Sequence, residues 1–523
     1  MISEVIEVQQ AAFSLVAYVI VLAISALISY LLAPKPPDAP DPEPVDLPTC
    51  EQGTPYGIIF GQPIRFKSAM ILWYGAVRTH RFKNDKKGQG YQYYAAIHIG
   101  LSHGNIDGVK QMWFKDRCFW PTYKDATVYN ADDAETFLIN QGAAWGDRYK
   151  GGGLVLSGDI LYGTTTQLQN ATLKKYQDGD DTPAYRGITS LVFHNTSYWG
   201  ISNQFPIMSI VLKRTDTHHD GTPMWYVAKA NVDSYNSLNV VHVIRECLTS
   251  TVFGRGVSTD RIDSTTFEAA ADTLYTEQIG ISYKYTPSGN SLSSFIQKLE
   301  AIMDGVIYFD HSVGKYKIKL IRPDYVDGDL TVYDKDDFSI ITFSRASYSG
   351  VASETIVKYS DIASAKPTKA KADDLAMMQL QGESPIPQTF DYPMITNPDT
   401  AALIAAREQN QSSRNPAFLK LSVNRSMYAV QRGDVFKISH PMLTKAGISS
   451  MVVRAVVIDR GMLDDGEMFI DVTEEIFYSV TSTTTVPSSQ TTIPVPTLTA
   501  STSETIEFSS SAASIQIINE TKA

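Results

Sequence analysis

Three clusters in this chain carry side chains that could do chemistry. His218, His219 and Asp220 place two imidazoles and a carboxylate in consecutive positions, the residue types of a metal site. Adjacent side chains on a strand point to opposite faces, so both rings do not reach one ion, and the following Gly221 favours a polar turn. Asp178, Gly179, Asp180 and Asp181 have the charge of a calcium loop but lack the spaced ligands and closing Glu of an EF-hand, and read as a solvated loop. Lys315, Lys317 and Lys319 alternate with Tyr316, Ile318 and Leu320, which puts three cations on one strand face; a solvent or subunit-contact face suits them better than a phosphate site. There is no Walker loop, no G-x-S-x-G elbow and no H-E-x-x-H. Cys50, Cys118 and Cys247 are far apart with no CxxC spacing, which suggests neither a thiolate zinc site nor a disulfide framework. No cofactor or metal is called for, and the chain does not read as an enzyme.

The elements that would position these residues are mostly strands. High Tyr, Thr and Val usage with few long helical patterns predicts a mainly β fold with a few helices, a β-rich α+β class. Residues 58–60, 70–74 and 91–99 are strand-like runs broken by glycines, and the basic stretch 78–87 reads as a solvated hairpin tip. Residues 188–193 and 206–213 predict two more strands. The period then changes. Leu238, Val241, Ile244 and Leu248 recur at helical spacing, and Thr265 followed by Glu268 suggests a capping box for a second helix. Leu292, Phe295, Ile296, Leu299, Ile302 and Met303 form a clean amphipathic face, with Gly305 at the expected C′ position. Strands return at 306–309 and 316–320. Residues 452–459 and 467–472 flank Asp464-Asp465-Gly466 as a hairpin.

Both ends have a different composition. Residues 11–33 are uncharged and almost wholly apolar, and as a helix would span roughly 35 Å, enough to cross a hydrocarbon core. Glu4 and Glu7, with no Lys or Arg, precede the run, unlike the basic n-region of a secretory signal. Leu15, Val19, Leu22, Ile24, Leu27 and Leu31 are the large side chains available for helix-bundle or membrane contact, and Ala12, Ala17, Ala23, Ala26, Ser25 and Ser29 let backbones approach. Membrane anchoring and burial in a homo-oligomeric bundle both remain open. Residues 34–47 alternate prolines with acids as an extended spacer, and from residue 479 onward Ser and Thr predominate. The formal net charge of −11 argues against gripping a nucleic-acid backbone.

Several segments, taken in order, resemble the tail-hub or tail-tip family of long-tailed bacteriophages, which includes the gene transfer agent hub and the central part of the lambda-type tip attachment protein. The most specific stretch is Pro183-Ala184-Tyr185-Arg186-Gly187 leading into strand 188–193, followed by Gly200, Asn203 and Pro206 and preceded by Gly163 and Gln167. Tyr56-Gly57 with Arg65 and Trp73 resembles the family's opening, and Gly104, Ile106, Gly108 and Trp113 its G-x-I-x-G stretch before Trp. Residues 239–249, Gly254-Arg255-Gly256 and residues 262–272 follow its helix, glycine loop and helix. Gly433-Asp434-Val435 and Phe477 resemble its terminal motif. The glycine-rich loop before strand 91–99 is shortened here to 86–90.

The resemblance implies a multidomain hub with tube-like β-barrels, preceded by an apolar helix. It divides the chain into the helix (1–33), a Pro-rich acidic linker (34–47), a first β-rich hub region with an inserted subdomain (48–230), a helix-containing α+β region (231–335), a C-terminal β-rich hub region (336–478) and a Ser/Thr-rich arm (479–523). It implies a homotrimer that closes the tail tube and adapts sixfold tube to threefold tip. Its partners would be distal tail and tube-end proteins, fibre or receptor-binding proteins on the arm, DNA passing the lumen without specific binding, and a host membrane touched by the apolar helices on ejection. Two other readings stand beside it: a membrane-anchored β-rich surface binding protein, and a tail-associated hydrolase whose site the sequence does not reveal.

Overall fold

The structure, a computed structural model, describes residues 47, 55–68, 70–84, 88–114, 117–120, 129–131, 134–140, 155–197, 199, 205, 208–287, 291–345, 350–382, 384–445, 447–459 and 468–475. The apolar run 11–33, the spacer before Leu47, residues Gly200, Asn203 and Pro206, and the arm with Phe477 lie outside these.

The fold is mainly β, as the sequence predicts. Its first body is built on one long hairpin, Met70–Asn84 with Gly88–His103, paired from Met70↔Gly100 to Asn84↔Gly88. The expected loop at 78–87 is therefore largely strand: the ladder continues through Arg78 to Asn84 after a bulge between Gly75 and Arg78. From Gly88–His103 the sheet continues through Ile188–Phe193, Val155–Leu161, Ala134–Asn140 and Tyr129–Ala131 on one side. On the other it reaches Ile58–Phe60 and Tyr283–Tyr285. A four-stranded sheet ordered Phe66–Ser68, Met208–Lys213, Gly108–Phe114, Arg117–Trp120 covers it. Ile97, Ile99, Leu101, Met112, Leu156, Ile160, Leu191 and Phe193 fill the core between them. Strand Val155–Leu161 shows the period-two logic: Leu156 and Ile160 are buried, while Ser157 and Asp159 lie on the half-exposed face.

Helices fill the middle. Val240–Thr249 starts at Asn239, whose side chain accepts from the Val241 N–H at 3.1 Å. Ser264–Thr276 is capped by the Asp263 carboxylate, which accepts from the Thr266 N–H at 3.4 Å; Thr265 lies inside the first turn and is not the cap. Leu292–Met303 buries Phe295, Ile296, Leu299, Ile302 and Met303 as its periodicity predicts, each worth about 1.5–3 kcal/mol. It ends at Asp304, which adopts the left-handed conformation expected of Gly305. Gly305 instead begins strand Gly305–Asp310, where a Cβ would lie 2.9 Å from the Lys319 carbonyl oxygen. Its hairpin partner is Lys315–Leu320.

Residues 354–413 add strands Glu354–Asp361, Lys366–Asp373 and Pro387–Asp391 and helix Pro398–Ser413 to this same core through Val357, Tyr359, Ile404 and Ala405. Ile58 and Phe60 of the first body also enter it, while Ile59 between them belongs to that body's own core. A separate core lies beneath a six-stranded sheet ordered Val332–Tyr333, Val435–Ile438, Met451–Asp459, Met468–Glu474, Phe418–Val423, Phe338–Ser344. Met451–Asp459 and Met468–Glu474 pair antiparallel, the predicted C-terminal hairpin. Among the described residues no helix is long and apolar enough to cross a membrane.

Candidate functional site: a glycine junction and a buried ion pair

The motif residues that the sequence scatters over more than eighty positions meet at one end of the first sheet. The Gln167 carboxamide is the hub of the contact. Its Oε1 accepts from the Gly163 N–H at 2.7 Å, and its Nε2 donates to the carbonyls of Ala184 at 2.6 Å and Tyr185 at 3.2 Å. Arg186 Nε donates to the Gln167 carbonyl at 3.0 Å. Gly187 N–H donates to Gly163 O at 2.9 Å, and Gly104 N–H to Gly187 O at 2.8 Å. Thr189 Oγ1 then donates to the Gly104 carbonyl at 2.7 Å. A buried amide side chain with all these partners satisfies backbone groups that no ladder reaches.

Glycine is required here by geometry. Gly104 and Gly163 have φ of +81° and +71°, and a Cβ would lie 2.5 Å from His219 O and 2.8 Å from Ile188 C, respectively. Tyr185 itself holds φ +52° and lays its ring edge-on against His98, with centroids 4.4 Å apart. Burial pushes the His98 imidazole down to about 3, so the ring is neutral. Trp73 packs with Tyr185 around Leu161, Leu173 and Val192.

The remaining motif residues sit elsewhere. Tyr56 lies against Gly100, and Gly57 accepts from His103 N–H at 2.9 Å. Trp113 carries the Arg65 guanidinium 4.6 Å above its ring. Gly108 starts its strand with open space where a Cβ would go, and nothing in the structure demands glycine there. Gly433 and Asp434 join the C-terminal sheet to the 305–320 hairpin. Asp434 pairs with Lys319 at 2.7 Å, and Gly433 O accepts from Arg454 Nη1 at 3.0 Å. Lys317 is likewise paired, with Asp310 at 2.9 Å, so two of the three alternating lysines serve internal ion pairs instead of a free cationic face.

Sequence reasoning passed over the most deeply buried charges. Arg214 and Glu246 are both inaccessible, with Nη1 2.8 and 3.0 Å from the two carboxylate oxygens. Arg214 Nε donates to the Ile59 carbonyl at 2.5 Å, and its guanidinium lies 5.0 Å from the Phe60 ring centroid. Glu246 Oε1 also accepts from the His219 N–H at 3.0 Å, and the His219 and His218 Nδ1 atoms are 3.2 and 3.8 Å away. The consecutive histidines occupy a polar turn ending at Gly221, as the sequence predicts, closed by His218 N–H to Thr222 O, and in that turn, unlike on a strand, both rings face one carboxylate. His218 Nε2 accepts from the Trp225 N–H at 3.0 Å, which leaves the proton on Nδ1 toward Glu246. Burial pushes the Glu246 carboxyl up, but the Arg214 charge and the bonds from His218, His219 and Arg214 outweigh it and hold it well below its usual range. A signal was present: Glu246 is the one acid in a helix whose residues are otherwise nearly all buried. Among the described residues no cluster of His, Cys, Asp or Glu could hold a metal ion, and Asp178–Asp181 forms a short turn in which Asp180 pairs with Lys174.

No protein-family model matches this sequence, and no curated protein matches it. Similar solved structures exist. A chain of the virion of a native gene transfer agent particle has 12% identity, covering 84% of this chain and 88% of that one, with a TM-score of 0.48. A tail protein from Neisseria meningitidis MC58 has 11% identity over 73% of this chain and 96% of that one, with a TM-score of 0.28. A prophage tail protein from Listeria monocytogenes EGD-e has 12% identity over 70% and 95%, with a TM-score of 0.27.

Proposed function

We propose that this chain is a structural hub of a bacteriophage tail tip, acting in the virion as a homotrimer that closes the tail tube. The observation that carries this reading is the junction of Gly104, Gly163, Gln167 and Tyr185-Arg186-Gly187. Residues of the most specific stretch in the sequence's ordered resemblance to tail hubs, joined by Gly104 from a second stretch, interlock in space. Tube-end and distal tail proteins would bind its β bodies. The Ser/Thr-rich arm would carry fibre or receptor-binding proteins.

The charge supports the same reading. An acidic chain lets DNA pass without gripping its phosphates, whereas binding requires clustered cations. The internal ion pairs of Lys317 and Lys319 remove cations from such a surface. The apolar run 11–33 needs burial, and three copies about one axis would supply it; on ejection the same helices would enter the host membrane. The hub role itself requires no catalytic centre. Immunogold labelling of purified virions tests the placement: label confined to the tail end distal to the head supports it, and label on the head or along the whole tail contradicts it.

A further inference from the structure

A serine, a histidine and an aspartate on the outer face of the first sheet form a hydrogen-bonded chain. Ser157 Oγ is 2.8 Å from His194 Nδ1, and His194 Nε2 is 3.0 Å from Asp159 Oδ2. Ser157 and Asp159 lie two residues apart on strand Val155–Leu161 and so share a face, while His194 directly follows the neighbouring strand Ile188–Phe193. We propose that Ser157, His194 and Asp159 are a nucleophile, base and orienting acid that hydrolyse small exposed carboxylic esters, an activity additional to the hub role and independent of it.

The protonation pattern follows from the partners. An ionised carboxylate only accepts, so Asp159 fixes the imidazole proton on Nε2. Nδ1 is then the lone pair, and Ser157 O–H donates to it, which is the arrangement an activated serine needs. The acid is itself held. Asn170 Nδ2 donates to Asp159 Oδ2 at 2.7 Å, while Asn170 Oδ1 caps the helix Ala171–Tyr176. The serine backbone is clamped as well: its N–H donates to Ser197 Oγ at 3.1 Å, and its carbonyl accepts from the His194 N–H at 2.7 Å and Ser197 Oγ at 2.9 Å. Thr196 Oγ1, 3.2 Å from Ser157 Oγ, is the hydroxyl placed to donate to a developing oxyanion. His194 and Asp159 are 27% and 13% exposed, so the chain is reachable from solvent, and an open face suits an acyl group projecting from a larger molecule.

In the first half-reaction Ser157 Oγ bonds to the ester carbonyl carbon while its proton passes to His194 Nδ1. The ester C–O bond breaks, and the leaving alkoxide takes that proton. In the second half a water molecule gives a proton to Nδ1 and its oxygen to the acyl carbon; the acyl carbon–Oγ bond breaks, the Nδ1 proton returns to Ser157 Oγ, and the carboxylic acid leaves.

The test is covalent. The full chain is incubated with an alkyl fluorophosphonate, and the adduct is located by peptide mass spectrometry. The wild type should be modified at Ser157 and should cleave p-nitrophenyl acetate. H194Q and D159N, shown folded by circular dichroism, should label at least tenfold more slowly, and S157A should lose both signals. The idea is overturned if wild-type Ser157 stays unmodified, a result that needs no variant to fold, or if H194Q labels at the wild-type rate.

Discussion

Arg214 and Glu246, thirty-two residues apart, form a buried ion pair that ties the first β body to the helix Val240–Thr249. Arg214 leaves strand Met208–Lys213 and reaches back to the Ile59 carbonyl, while Glu246 also receives the His218-His219 turn. Three segments therefore depend on one carboxylate.

Removing one partner should leave the other charge buried and alone. Arg214→Ala or Glu246→Ala should cost about 3–5 kcal/mol of stability. Arg214→Met with Glu246→Leu should recover much of that loss, since a packed apolar pair carries no desolvation cost. Urea unfolding of the three variants measures this. Equal stability of Arg214→Ala and the wild type would remove the pair from the account.

Acid should loosen the same fold. Burial pushes His98 down to about 3 and His242 down to about 4, below the ordinary imidazole value of about 6.5. The unfolded chain therefore binds protons that the native state refuses. Stability is full above pH 6.5 and falls as pH drops toward 4, by up to about 1.4 kcal/mol per pH unit for each histidine. The Glu246 carboxyl is also depressed, so its contribution is present above its unfolded value of about 4.3 and is lost below it. Denaturant midpoints should hold level from pH 8 to about 6.5 and decline from there to pH 4, and His98→Leu should flatten part of that slope; a maximum near pH 5 would contradict the assignment.

The glycines should separate into three grades. Gly163→Ala and Gly104→Ala meet backbone atoms at positive φ and should cost about 1–3 kcal/mol or block folding. Gly187→Ala has φ +76° but open space, so only the left-handed conformation is penalised, at about 1–2 kcal/mol. Gly108→Ala should stay within about 0.5 kcal/mol. Thermal melts rank them, and a Gly108 variant as damaged as the Gly163 one would break the argument.

The arm should be separable from the body. The last described strand, Met468–Glu474, is paired on one side with Phe418–Val423 and on the other with Met451–Asp459. Truncation before Ser479 should leave the oligomer and its melting temperature unchanged while removing distal tip components from particles. Retention of those components would assign the arm another role.

Local order was legible in the sequence where periodicity speaks. The face of Leu292–Met303, strand Ile188–Phe193 and the hairpin of Gly305–Asp310 with Lys315–Leu320 all follow from spacing. What spacing could not fix was competition between neighbours. Asp263 wins the cap from Thr265, and Asp304 takes the left-handed turn because Gly305 is needed in the strand. Strand 70–84 outlasts its apolar run because its ladder with 88–103 continues through polar residues. The pairings themselves were not legible: Gln167 with Ala184 stood only as members of one motif, Glu246 only as a lone acid on an apolar helix, and these contacts, like Ser157 with His194, are set by strand order, which the sequence does not spell out.

The central claim is a threefold hub, and copy number decides it most directly. Native mass spectrometry of tail tips released from purified virions should show three copies of this chain in each tip, and mass photometry of the isolated body from residue 48 onward should show the same trimer. A stable monomer or a hexamer in intact tips would contradict the account.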